Sequence, residues 1–110
     1  MKGKLEIKQN AYRISEINPV RDKMMYYTYV LQSLKDRYLY TGHTEDLRKR
    51  FDQHNRGEVP STKGRGEFRL IYYEACLNRQ DAAAREKFLK SGPGKRYLKN
   101  RLKRFLSLTG

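Results

Sequence analysis

Cysteine appears once in the chain, at Cys76, and tryptophan not at all. A lone cysteine excludes an internal disulfide framework and any zinc cluster built on cysteines. Lying in the apolar stretch 70–77, Cys76 reads as a small core residue. Long hydrophobic runs are missing too. No stretch approaches the ~18 to 20 apolar residues of a membrane-spanning helix. With Lys2, Lys4, Glu6 and Lys8 at its start, the chain offers no apolar region for a signal peptide. These absences predict a cytoplasmic protein with no membrane partner. Large aliphatic side chains are also scarce. Leu, Ile, Val and Phe make up about a fifth of the 110 residues, close to the roughly 20% below which highly charged chains stay disordered. The core is therefore thin, and the length allows one domain with a tail but no second lobe.

Acid is the remaining shortage. Twelve Asp and Glu face 25 Lys and Arg, a net charge of +13. A surplus of that size in a short chain implies a polyanionic partner, nucleic acid before a membrane surface. What is abundant is tyrosine, nine of them, an unusual way to supplement a core.

Residues 1–23 carry scattered charges without lasting periodicity and read as an N-terminal extension to a domain spanning 24–110. Within that domain, residues 26–32 (YYTYVLQ) are β-branched and aromatic and predict a strand. A polar turn over 33–37 leads to a second strand at 38–41, antiparallel to the first and ended by Gly42. The spacing of Leu47 and Phe51 predicts a helix over 46–56. Residues 59–66, with Pro60, Gly64 and Gly66, read as a mobile basic loop, and 68–76 as a third strand. Asn78 is a fitting N-cap for an alanine-rich helix that stops at Gly92 and Pro93. Leu98, Leu102, Phe105 and Leu106 form the apolar stripe of one last helix over 95–107. The expected class is α+β, a small, mostly antiparallel three-stranded sheet flanked by helices.

Opposite that last stripe stand Lys95, Arg96, Lys99, Arg101, Lys103 and Arg104, with no acid among them. A solvated face normally mixes signs, so an unbroken cationic one points to a phosphate backbone lying across it, and Lys63, Arg65 and Arg69 extend the track. Arg50 and His54, at i and i+4, share a helix face beside Leu47 and Phe51, where a guanidinium fork and an imidazole suit a phosphate. Glu86 lies on the inward face of its helix. A carboxylate there needs a cation: either a buried salt bridge, to Arg50 or Arg85, or a metal ion. Tyr27 and Tyr29 share one face of the first strand and Tyr38 and Tyr40 one face of the second, a pattern that cross-strand packing would also produce.

Together these residues resemble the GIY-YIG nuclease family, and more narrowly its small stand-alone bacterial members similar to the excision-repair nuclease domain. Tyr27-Thr28-Tyr29 stands where the family has Gly-Ile-Tyr, and Tyr40-Thr41-Gly42 where it has Tyr-Ile-Gly. Arg50 follows Tyr40 at the family's spacing, and His54 follows Arg50 as in several members. Glu86, in AAAREKFLK, stands where the family has its metal-binding glutamate, and YYE at 72–74 completes the order. Asn100 is a candidate for an asparagine that many relatives carry, and His43 stands where some have a lysine.

The resemblance implies a GIY-YIG-like fold and a metal-dependent DNA endonuclease, weakly sequence-specific, acting in DNA repair or processing. It assigns the metal, Mg2+ or Mn2+, to Glu86, transition-state stabilisation to Arg50, and activation of the attacking water to Tyr40 with Tyr29 and His54. The expected partner is DNA, branched or single-stranded, cut by a monomer that a targeting protein would direct. The rival reading, which the charge fits equally well, is a non-enzymatic nucleic-acid-binding protein of the same fold.

Overall fold

The structure, a computed structural model, describes residues 25–109, and the extension expected over 1–23 lies outside them. Strands β1 (Tyr26–Ser33), β2 (Leu39–Thr44) and β3 (Phe68–Cys76) form one sheet in the order β2-β1-β3, with both pairings antiparallel. Helix α1 (Leu47–Asn55) follows β2, and α2 (Arg79–Lys90), α3 (Gly92–Arg101) and α4 (Lys103–Thr109) follow β3. The α+β class with a small helix-flanked sheet is the one expected, and the sheet is wholly antiparallel.

As the central strand, β1 is covered on both faces, so Tyr27 to Ser33 are all buried instead of alternating. Side-chain alternation still decides what each residue meets. Tyr27, Tyr29 and Leu31 pack with Leu47 of α1 and with Phe68. Val30 packs on the opposite face with Leu89 of α2 and Leu98 of α3, flanked by Ile71 and Tyr72. A bulge in the β1–β3 pairing between Val30 and Leu31 lets Ile71 and Tyr72, consecutive in sequence, border the same cluster.

Side chains start the helices. The Asp46 carboxylate accepts the Lys49 amide, Asn78 accepts those of Gln80 and Asp81, and Ser91 accepts that of Gly94. Between α2 and α3 the chain turns so tightly that a side chain at Gly94 would collide with the Phe88 carbonyl.

The structure corrects three local expectations and details the expected 59–66 loop. Gly42 does not end β2, which runs on to Thr44, and Tyr38 precedes the strand and stands exposed. The single last helix is two, interrupted where Leu102 leaves helical dihedrals (φ −112°, ψ 21°). Residues 59–66 are a run of turns pinned by buried Val59 and Thr62, the Thr62 and Lys63 amides both donating to the Val59 carbonyl. Cys76 is only partly buried, its thiol donating to the Asn78 carbonyl. No helix among the described residues is long and apolar enough to cross a membrane.

Candidate active site

Tyr29 lies opposite Gly42 in the β1–β2 register, and Tyr40 opposite Leu31. Tyr29 and Tyr40 therefore share the sheet face covered by α1. A Cβ at Gly42 would come within 2.5 Å of the Tyr29 hydroxyl, so only glycine lets this ring lie across β2. In sequence the glycine looked like a strand terminator; its role is the passage of a tyrosine.

The Tyr29 hydroxyl meets His54 Nε2 at 2.8 Å, and His54 Nδ1 lies 2.8 Å from the Thr62 hydroxyl. Thr62 has the Val59 carbonyl to donate to at 3.4 Å, which leaves its oxygen to accept the Nδ1 proton. Nε2 is then the acceptor of the Tyr29 proton. Both partners are buried and hold this arrangement at neutral pH. Burial pushes the Tyr29 phenol up to about 12, with Arg50 beside its hydroxyl pulling the other way. Burial, reinforced by the Arg50 charge, pushes His54 down to about 4. Tyr29 thus keeps its proton and His54 stays neutral.

A histidine that resists protonation costs stability in acid. Between pH about 4 and the reference value near 6.5, His54 in the unfolded chain binds a proton that the folded chain refuses. Its contribution is whole above that window and is lost as pH falls through it, about 3 kcal/mol in total. Urea unfolding of wild type and His54→Gln across the window should show the smaller acid loss in the variant. Equal losses would mean that His54 titrates normally in the fold.

Tyr40 is half-buried, its ring 4.9 Å from the His54 imidazole in an edge-on arrangement, and its hydroxyl accepts a hydrogen bond from Ser61 at 3.1 Å. Arg50 Nη1 donates to Gln53 at 3.2 Å, one turn further along α1, and its charge is felt at both Tyr29 and His54. One phenol is therefore sealed and the other faces water beside the same imidazole.

Glu86 stands on α2, against the opposite sheet face. Its partners are not Arg50 or Arg85, as the sequence suggested. One carboxylate oxygen takes His43 Nδ1 and the other Lys90 Nζ, each at 2.6 Å. Burial raises its pKa, but these two contacts outweigh it and hold the carboxyl below its usual value. Arg85 turns instead to Glu74 in a two-pronged contact at 2.8 Å, and Tyr72 donates to Glu74 as well. The YYE motif thus ties β3 to α2. Thr28, Thr41 and His43 alternate with Tyr29 and Gly42 across the β1–β2 pair, so His43 joins Glu86 on the far side. Glu86 nevertheless raises the Tyr29 pKa electrostatically. Tyr29 reaches across edge strand β2 from one face, within the electrostatic reach of Glu86 on the other.

The predicted cationic track divides. Arg65, Lys95 and Lys99 line one groove. Lys63, Arg96 and Lys103 are exposed and do not line it. Arg69 lies over the Phe105 ring at 5.0 Å, joining β3 to α4. Asn100 is exposed on α3 with no hydrogen bond to the tyrosines, Arg50, His54 or Glu86. Sequence reading missed Ser61, Thr62 and Lys90. Only Lys90 had a local signal, its i+4 spacing from Glu86.

The GIY-YIG catalytic domain matches residues 25–99. The chain belongs to the GIY-YIG family. Members of this family are nucleases. Among relatives, a UPF0213 protein of Clostridium perfringens is 43% identical over 67 residues, covering 60% of this chain and 71% of its own. Another UPF0213 protein, from Pediococcus acidilactici, is 39% identical over 84 residues, 68% and 82% of the two chains. A UPF0213 protein of Bacillus halodurans solved by solution NMR is 32% identical, with a TM-score of 0.40 over 79% of this chain and 87% of that one.

Proposed function

We propose that this GIY-YIG chain is a divalent-metal-dependent endonuclease that hydrolyses DNA phosphodiesters with little sequence preference, in repair or processing. The observation that carries the reading is the packing of two phenols, a guanidinium and a neutral imidazole on one sheet face, with a charged carboxylate on the other within electrostatic reach of Tyr29.

Tyr40 is the group that meets the attacking water. It is only half-buried, and the Ser61 hydroxyl donates to its oxygen, fixing the direction of the phenol. Tyr29, holding its proton and donating to His54, fixes the imidazole against which the Tyr40 ring rests. Arg50 offers its charged fork to the non-bridging oxygens as negative charge builds on phosphorus.

Glu86 suits a divalent ion, because its two oxygens already draw the His43 imidazole and the Lys90 ammonium and the carboxyl stays ionised. Among the described residues no three His, Cys, Asp or Glu converge. The remaining ligands would be water and phosphate oxygens, the manner in which Mg2+ and Mn2+ are usually held at one or two carboxylates. Bound there, the ion would neutralise charge on the phosphate and the leaving oxygen.

The test is incubation of the full chain with supercoiled plasmid, branched DNA and single-stranded DNA in Mg2+, Mn2+ or chelator. Cleavage with either metal and none in chelator is expected. Binding without cleavage under every condition would favour the non-enzymatic reading, and cleavage in chelator would remove the metal.

A further inference from the structure

On the Glu86 side of the sheet, beside the first half of β2, lies an open groove of about 540 Å3, within the range of small-molecule sites. Arg37, Arg65, Lys95 and Lys99 line it, and no acid does. Between these charges the walls are apolar: Leu89 and Leu98 from the core, Leu106 from α4, and Tyr38 at the mouth. Tyr38 is 70% exposed, a poor place for a tyrosine that only packs. Arg37 beside it holds the left-handed backbone (φ 68°) that closes the β1–β2 hairpin, its amide donating to the Ser33 carbonyl.

The groove adjoins the candidate active site directly. Lys90, which holds Glu86, is one of its walls, and Thr41 of β2 is another. Thr41 precedes His43 on the same strand face, about 7 Å away by strand rise.

Cations around an apolar, aromatic-edged hollow match one chemistry better than others. Duplex DNA presents phosphates alone and keeps its bases inside, so it would leave the hollow empty. An unpaired nucleotide presents phosphate and a bare base face together, and such strands are held by cationic grooves with aromatic stacking platforms. We infer that this groove seats an unpaired nucleotide next to the scissile phosphate, with its base stacked on Tyr38. The subsite rests on the nuclease reading for its purpose but not for its detection.

Binding is therefore measured in chelator, where no cleavage intervenes. Probes are a duplex with a single-stranded flap carrying a fluorescent adenine analogue and the fully paired duplex of the same sequence. Tyr38→Ala should weaken flap binding about 5- to 100-fold, the range for losing one stacking partner, and release the quenched fluorescence. Tyr38→Phe should keep both, and affinity for the paired duplex should not change. Equal weakening on both probes, or no weakening on either, would overturn the subsite. If the subsite holds but no metal supports cleavage, it is the nuclease reading that falls.

Discussion

Replacing Glu86 with glutamine is expected to abolish cleavage while leaving DNA binding intact. The substitution keeps the size of the side chain and removes its charge, so α2 should still dock on Val30 through Leu89. What is lost is the anionic oxygen donor that would hold a divalent ion at the β2 edge. Charge stabilisation by such an ion amounts to several kcal/mol, and at about 1.4 kcal/mol per tenfold the rate should fall by at least about a thousandfold. Binding to DNA in chelator should be unchanged or slightly tighter, because a negative charge facing a polyanion has gone. Supercoiled-plasmid nicking and fluorescence anisotropy on the same preparation separate the two. Nicking within about tenfold of wild type, roughly 1.4 kcal/mol, would end the assignment of Glu86 to the metal.

Arg50→Ala should cost about 10² to 10³ in rate, the usual effect of removing one donor aimed at developing charge. Arg50→Lys should recover little of it, since an ammonium cannot reproduce the planar fork. Rate alone would not separate this role from a structural one, but the electrostatics would. Arg50 lowers the pKa of both Tyr29 and His54, so its removal should move both values upward. Proton NMR titration of His54 reads that shift in the absence of DNA. A rate unchanged by Arg50→Ala would reduce it to a surface charge, and an unmoved His54 would place the guanidinium elsewhere.

Local signals carried much of the fold. β3 runs over the predicted residues 68–76, and Asn78 caps α2, because both depend on neighbours in sequence. Interruption of the last helix at Leu102 had no signal in the unbroken apolar stripe, yet it accompanies the reach of Phe105 to Arg69 on β3. For the site, strand alternation and helix spacing brought Tyr29 near Tyr40 and Arg50 near His54. The partners of Glu86 were legible only by half. Lys90 is its helical neighbour, whereas His43 arrives from a strand 43 residues away, and Arg85 was the wrong choice because Glu74 offers it a two-pronged contact. Thr62 was hidden for a similar reason. A loop with two glycines gives no hint that one of its hydroxyls orients a buried imidazole.

The close passage of Tyr29 over Gly42 explains how so small a domain can bring reactive groups together at all. Enzymes commonly enclose a reaction between two bodies, and a single sheet with helices on each side has only one. Here the edge strand is bare at one residue on the α1 face, so that the Tyr29 ring crosses it toward the rim. Any heavier residue at Gly42 would close that passage by driving the Tyr29 hydroxyl away, and would do so without touching a single charged group.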